Sequence, residues 1–146
     1  MQSVYVAGVG LTQFGKDARS LGEIFSEAAQ LALADTDEVD ALYIGVMNPE
    51  EFTGDSNIAS LIADAAGLTG VPATRVETAS SAGAAALMAG FQAIASGYYR
   101  RVLVLAGEKM THLSTSATTR ILAEVIDPRE RLCGATMPAL AAMITE

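Results

Sequence analysis

Residues 76–97 begin Val76-Glu77-Thr78-Ala79-Ser80-Ser81-Ala82-Gly83 and continue through Ala84–Gly97 with many small side chains. The pattern predicts a short strand, a sharp turn and a helix. Ser80 is expected at the turn, where backbone N–H groups at the start of the helix point toward it. The segment therefore predicts a site for a nucleophile or an anion at residue 80.

Three other apolar runs surround this segment, at Ser3–Val9, Ala41–Met47 and Arg101–Gly107. Continuous apolar runs are typical of strands in a sheet that helices cover on both faces. With a strand at Ala73–Thr78, they predict the order β-α-β-α-β-α-β over residues 3–107. In such sheets the ligand site lies at the carboxyl ends of the strands, which is where the turn before the small-residue helix is expected.

The first helix has a clear start signal. Ser20 and Glu23 have the spacing of a capping box, and the apolar residues that follow recur at helical spacing. We expect this helix over about Leu21–Ala34, with Asp35-Thr36-Asp37 ending it. The acidic residues from Asp35 to Asp40 are interpreted as solvated surface.

The next helix is predicted after the break at Asn48-Pro49-Glu50-Glu51. Asp55 or Ser56 is positioned to cap it, and Ile58, Leu61, Ile62 and Ala65 lie on one face. Gly67 is placed to stop it as the C′ residue. The helix that follows Ser80 is expected to end at Gly97.

Beyond Met110 the chain becomes rich in Ser and Thr. A helix is predicted at Thr118–Val125, a break at Asp127–Glu130, and a second helix from near Thr136 that still runs at Glu146. Since no Gly, Asn or basic last turn closes that helix, the sequence suggests a piece of a longer polypeptide.

Composition excludes several classes of function. The 146 residues suit one domain with a real core, and a net charge of -8 leaves no surplus of Lys and Arg for nucleic acid. One cysteine, Cys133, and one histidine, His112, provide neither a disulfide framework nor a metal cluster. No apolar run nears ~18 residues and no signal peptide precedes the first strand, so we expect a soluble cytoplasmic protein.

Five segments in order carry a family resemblance: Gly8–Gly15, Val76–Ala79 with Gly83, Ala95–Gly97 with Val102–Gly107, Glu108-Lys109-Met110-Thr111, and Gly134–Leu140. Together they resemble the thiolases related to sterol carrier protein X and the archaeal acetyl-CoA acetyltransferase-like enzymes. The resemblance covers almost the whole chain. It implies a layered α/β/α fold in which residues 1–111 form the N-terminal half, with a mixed, mostly parallel sheet between helices. Residues 112–146 would begin the loop domain.

The same resemblance implies a function. Thiolases form or cleave carbon–carbon bonds beside a coenzyme A thioester in lipid metabolism, need no cofactor, and usually assemble as homodimers. A reactive cysteine takes the acyl group, and a histidine and a second cysteine from the C-terminal half handle protons. The resemblance also places Met137 where the loop domain meets the pantetheine arm of the substrate.

Ser80 departs from this pattern, because it occupies the position of the reactive cysteine. A free thiol has a pKa of about 8.5 and can be tuned into the physiological range, whereas a serine hydroxyl begins far higher. A helix N-terminus supplies at most ~2 kcal/mol, or about one and a half pKa units at ~1.36 kcal/mol each. Ser80 therefore needs an adjacent general base to act as a nucleophile.

Plainer interpretations stand beside these. Ser80 could cap the helix at a vestigial, repurposed or engineered site, and Cys133 is interpreted as a small buried thiol. His112 is interpreted as a loop histidine near the expected active-site side. Met88, Met137 and Met143 are interpreted as core residues. Gly8, Gly10 and Gly15 lack the G-x-G-x-x-G spacing of a dinucleotide site.

Three functions remain open. The first is a thiolase-type acyl-CoA acyltransferase. The second is a thiolase-fold aldolase or lyase that cleaves a β-hydroxyacyl-CoA such as a steroid side chain, works with a small zinc-ribbon and OB-fold partner, and does not depend on the cysteine. The third is a non-catalytic scaffold that binds a thioester or a partner chain. In every case the isolated 146 residues are expected to be inactive.

Overall fold

A computed structural model describes residues 3–34 and 38–145. The first helix ends at Ala32, with Leu33 as its C-cap residue, two residues before the predicted end at Ala34; residues 35–37, which were predicted to end it, lie outside these described residues. In chain order the elements are α1 (Leu21–Ala32), β1 (Ala41–Gly45), α2 (Pro49–Thr53), α3 (Ile58–Ala65), β2 (Ala73–Val76), α4 (Ala82–Ala95), β3 (Val102–Ala106), α5 (Thr115–Leu122) with a 3-10 turn (Ala123–Val125), α6 (Pro128–Leu132) and α7 (Met137–Ile144).

The three strands form one parallel sheet in the order β2-β1-β3. Gly45 at the end of the central strand lies opposite Val76 on one side and Ala106 on the other. Helices α1 and α3 pack on one face of the sheet and α4 packs on the other. The predicted layered α/β/α class is therefore confirmed, and the three strand ends meet at one edge. The domain division at residue 111 stays a prediction.

The main core lies between the sheet and helices α1 and α3. Alternate strand residues face this side, because side chains of a strand alternate between its two faces. The buried cluster includes Leu42 and Ile44 of β1, Leu103 and Leu105 of β3, Leu21 and Phe25 of α1, and Ile58 and Ile62 of α3. This cluster fixes the sheet that carries the site.

Helix α4 packs on the opposite face through its small residues. Ala82, Ala86 and Gly90 recur every four residues and are buried. A Cβ atom built at Gly90 would lie 2.7 Å from Cγ2 of Val104 on β3, so only glycine fits there. The small side chains of this helix therefore let its backbone approach the sheet closely.

Two local sequence signals are confirmed. Ser20 Oγ accepts from the Glu23 amide at 3.2 Å and Glu23 Oε2 accepts from the Ser20 amide at 2.7 Å, which completes the capping box. Gly67 follows α3 with φ of +73°. The predicted N-cap of α3, Asp55 or Ser56, is wrong. Asn57 is the N-cap residue, and Asp55 instead accepts from Thr53 Oγ1 at 2.6 Å.

The predicted first strand is wrong. Residues 3–9 form no strand, and the side chains of Tyr5, Val6 and Val9 are about four-fifths exposed. The segment instead runs against α1, where a Cβ built at Gly8 would lie 2.1 Å from Ala32 O. An apolar groove of about 970 Å³ separates it from β3. A strand needs a paired strand about 4.8 Å away. Because the groove separates residues 3–9 from β3, this pairing cannot form.

Proline begins helices here, although the sequence analysis interpreted it as a break. Pro49 begins α2 and Pro128 begins α6, since the missing N–H of proline costs nothing at the first helical position. Asp127 caps α6 by accepting from the Arg129 amide at 2.8 Å.

The last two predicted helices are present with shifted bounds. Helix α5 begins at Thr115, three residues before the predicted start, and Ser114 caps it. Helix α7 follows its cap Thr136 as predicted and ends at Ile144. In the part of the chain that the structure describes, no helix is long and apolar enough to cross a membrane.

Candidate active site at the turn before α4

The turn between β2 and α4 presents Ser80 to solvent. Ala79, directly before it, has φ of +52° and is the one non-glycine residue with positive φ among residues 3–34 and 38–145. This left-handed conformation is costly for an L-residue and turns the chain sharply after the strand. Ser80 is exposed, as the strand-turn-helix prediction requires.

Neighbouring polar groups hold the turn. The Ala79 amide donates to Glu77 Oε1. Ser81 Oγ donates to Thr78 O at 2.7 Å, and the Ser81 amide donates to the same carbonyl at 3.2 Å. Among the described residues, no group forms a hydrogen bond with the Ser80 hydroxyl. The side chain at this position is therefore free to meet a ligand.

Ser80 does not cap the helix. The N-cap residue of α4 is Ser81, and its side chain forms no bond with the amides of the first turn. The alternative interpretation of Ser80 as a cap is therefore wrong, since the chain reaches helical geometry one residue later. The Ala82 amide already donates to Ala79 O at 3.0 Å, so only the amides that follow it in the first turn of α4 are left for another acceptor.

His112 is not in a position to serve Ser80 through Nε2. That nitrogen lies 2.9 Å from Phe52 O at the end of α2. Because a carbonyl only accepts, Nε2 carries the proton and cannot be the base in this arrangement. His112 is an exposed loop histidine, as one of the sequence interpretations holds, and it ties its loop to α2.

Sequence analysis missed two charged residues at the same edge of the sheet. Glu108 Oε2 accepts from the Met47 amide at 2.9 Å, and Arg75 Nη2 donates to Met47 O at 2.7 Å. Burial raises the pKa of Glu108, and hydrogen bonds from Met47 and Asn48 oppose that rise. The available signal was a carboxylate two residues beyond a buried strand, in a segment that the sequence analysis used only for its resemblance.

Arg75 also pairs with Glu50 on α2, and this hydrogen bond lowers the pKa of Glu50. Both backbone groups of Met47 are thus held by side chains, one from β2 and one from the segment that follows β3. The segment after β1 is fixed beside the turn at Ser80.

Two other interpretations are corrected. Cys133 is exposed, because it lies at the end of the five-residue helix α6, which has no buried residue. Met88, Met137 and Met143 are not core residues, as their exposed fractions are 56%, 37% and 67%. The residues that the structure describes contain no group of three or more His, Cys, Asp or Glu that could hold a metal ion.

The parallel sheet between two helical layers, with a sharp turn at Ala79 before the small-residue helix α4, defines the class of protein, a layered α/β/α protein. Residues 4–146 match the family model described as thiolase, N-terminal domain. The chain therefore belongs to the thiolase family.

Relatives support the same assignment. The chain is 39% identical over 150 residues to the acetyl-CoA acetyltransferase of Methanothermobacter thermautotrophicus, covering 99% of this chain and 39% of that protein. It is 40% identical to the acetyl-CoA acetyltransferase of Methanocaldococcus jannaschii, covering 100% and 38%. It is 36% identical over 122 residues to sterol carrier protein 2 of Oryctolagus cuniculus, covering 78% and 22%. The chain thus spans less than two-fifths of the length of these relatives.

Proposed function

We propose that this chain is part of a thiolase-type acyltransferase that forms or cleaves a carbon–carbon bond beside a coenzyme A thioester. The observation that carries the proposal is the turn at Ala79, which presents residue 80 with an unengaged side chain at the start of α4. The archaeal acetyl-CoA acetyltransferases support the same reaction class.

In the direction of cleavage, the side chain of residue 80 attacks the ketone carbon in the β position of a 3-ketoacyl-CoA. The bond between this carbon and the α-carbon breaks, the α-carbon takes a proton and leaves as acetyl-CoA, and the acyl group remains on residue 80. Free N–H groups in the first turn of α4 stabilise the oxyanion. Free coenzyme A then takes the acyl group. With Ser80 the attacking hydroxyl must also lose a proton, and no described residue accepts it.

The serine at residue 80 favours a second candidate, a thiolase-fold lyase acting on a β-hydroxyacyl-CoA. Retro-aldol cleavage needs a base for the β-hydroxyl proton and no acyl-enzyme, so a serine at residue 80 would not impede it. The division into an N-terminal half and a loop domain, a homodimer, and for the lyase a zinc-ribbon and OB-fold partner, belong to the same proposals.

The test uses the protein expressed from its complete gene. Acetoacetyl-CoA with free coenzyme A is offered to the wild type and to Ser80→Cys, and acetyl-CoA is measured. Ser81→Cys is the matched control, because Ser81 Oγ is engaged with Thr78 O. Intact mass spectrometry reports the acyl-enzyme, with exposed Cys133 providing the background.

The acyltransferase proposal predicts that Ser80→Cys forms an acyl-enzyme and gains thiolysis activity, whereas Ser81→Cys gains neither. Acetyl-CoA production by the wild type would support natural serine catalysis. Cleavage of a β-hydroxyacyl-CoA by the wild type, with no acyl adduct at residue 80 of the Ser80→Cys variant, would overturn the acyltransferase in favour of the lyase. Binding of the thioester without turnover by any variant would favour the scaffold.

A further inference from the structure

Residues 108–112, here called the anchor segment, bind the loop before α1, the loop after β1 and helix α2 by their side chains. Glu108 accepts from the Met47 amide, Lys109 donates to Arg19 O, Thr111 Oγ1 donates to Gly15 O at 3.0 Å, and His112 contacts Phe52 O at 2.9 Å. Every partner atom belongs to the backbone. The segment directly after β3 therefore sets the positions of the loops before α1 and after β1.

Glu108 differs from the other members because one of its side-chain oxygens is buried without a partner in the described part of the chain. Its Oε2 accepts from Met47, whereas its Oε1 is buried and has no hydrogen-bond partner among the described residues. Burying a carboxylate oxygen in this way costs free energy. A neutral side chain would hold the loop with a smaller free-energy cost of burial. The presence of a carboxylate therefore indicates that Glu108 has a role beyond packing.

The place that Glu108 controls adjoins the turn at residue 80. The Val46 amide donates to Val76 O at 3.3 Å, which joins the end of β1 to the end of β2. A Cβ built at Gly83 in the first turn of α4 would lie 3.1 Å from Cβ of Ala106. The ends of the three strands thus meet beneath the start of α4, and Met47 lies two residues beyond one of them.

We propose that Glu108 is a positioning residue for the candidate active site: its carboxylate fixes the backbone of Met47, and through it the wall beside residue 80. Arg75 holds the carbonyl of Met47 from the other side. The inference rests on the proposed function only in naming residue 80 as the reacting position.

The test measures geometry at residue 80 without requiring catalysis. Ser80→Cys serves as the reporter background, and the rate at which iodoacetamide alkylates its new thiol is followed by peptide mass spectrometry, which separates residue 80 from Cys133. Adding Glu108→Ala is expected to change that rate about tenfold, the lower end of the effect that loss of an outer-shell partner has on the activity of metal sites. Glu108→Gln keeps an acceptor for the Met47 amide and is expected to restore the rate.

Glu124→Ala is the matched control. Glu124 contacts the same loop through Asn48 Nδ2, at 3.4 Å and from the surface, so its removal is expected to leave the alkylation rate at residue 80 unchanged. Amide exchange at Met47 and Asn48 is measured in each variant and is expected to accelerate only in Glu108→Ala. If that variant does not fold, Glu108→Asp serves instead, because its shorter side chain keeps the charge and withdraws the acceptor.

An unchanged alkylation rate at residue 80 in a folded Glu108→Ala or Glu108→Asp variant, with faster exchange at Met47, would overturn the proposal and leave Glu108 as a loop anchor only. A Glu108→Gln variant as altered as Glu108→Ala would overturn it too. Absence of acyl transfer in the complete protein would refute the proposed function and would not affect this result, because alkylation reports on the site independently.

Discussion

The carbonyl oxygen of Ala82 lies over Gly45, 2.5 Å from the position that a Cβ atom at Gly45 would occupy. The first turn of α4 therefore rests directly on the end of the central strand. The helix that begins at the candidate site thus contacts the supporting sheet backbone to backbone at this point. The height of residue 80 above the strand ends depends on that contact.

Gly45→Ala should lower the free energy of unfolding by about 1–3 kcal/mol, the usual cost of forcing extra atoms into a packed interface. Urea unfolding measures the change. Gly83→Ala is the comparison, because its Cβ would meet only the Ala106 side chain at 3.1 Å and alanine favours the helix. Equal losses in the two variants would contradict the role given to the Gly45 contact.

Ala79 tests the strain in the turn. Ala79→Val should lower the free energy of unfolding by about 1–2 kcal/mol, because a β-branched residue tolerates φ of +52° less well than alanine does. Ala79→Gly should stay within about 1 kcal/mol of wild type, as relief of strain is offset by the greater freedom of glycine in the unfolded chain. Chemical denaturation of all three proteins checks the order, and a Val variant as stable as wild type would argue against a left-handed turn.

The capping box gives a prediction with a pH dependence. Ser20→Ala should lower the free energy of unfolding by about 1 kcal/mol at neutral pH, the typical contribution of an N-cap. Ser60→Ala on the exposed face of α3 should leave the free energy of unfolding unchanged.

Hydrogen bonds from the Ser20 side chain and then its backbone lower the pKa of Glu23 below its usual 4.5. A lowered pKa contributes stability that is present above 4.5 and is lost as pH falls through the folded-state value. The difference between wild type and Ser20→Ala should therefore shrink in acid, as thermal unfolding at pH 7 and pH 3 would show. A difference independent of pH would mean that Glu23 does not share in the cap.

The pH dependence of stability expected from Glu108 is opposite to that expected from Glu23. Burial raises its pKa above the usual 4.5, so its contribution to stability is complete below 4.5 and declines as pH rises through the folded-state value. Arg75 and Glu50 also act on this carboxyl, in opposite directions. Glu108→Gln should therefore gain stability relative to wild type between pH 4 and pH 7. Urea unfolding at both values tests it, and a relative loss over that interval would refute the shift.

Sequence patterns predicted the structural elements that depend on residues close together in the chain. The capping box at Ser20, the C′ glycine at Gly67 and the three strands at β1, β2 and β3 were found because each depends on residues close in sequence. The segment Ser3–Val9 has the same β-branched character, but a strand also needs a neighbour to pair with, and sequence does not report where the neighbour lies. Gly8 of this segment and Gly10 just after it lie against α1 instead.

The site could be predicted only in part, because some of its contacts join residues that are far apart in the sequence. Ser80 could be located from the strand, turn and helix around it. Glu108 and Arg75 are separated from Met47 by 61 and 28 residues, so no local pattern joins them. The exposure of Cys133 and Met88 was missed because side-chain type sets a preference for burial, and packing of distant elements decides it.

Within the described part of the chain, every bond that shapes the turn before α4 passes through a neighbour of residue 80, and none passes through its side chain. The conformation of the turn therefore does not depend on which side chain stands at residue 80. Oxygen and sulfur are interchangeable there as far as folding is concerned. Reactivity at this position can therefore be exchanged, in the laboratory or in a natural lineage, without rebuilding the scaffold that presents it.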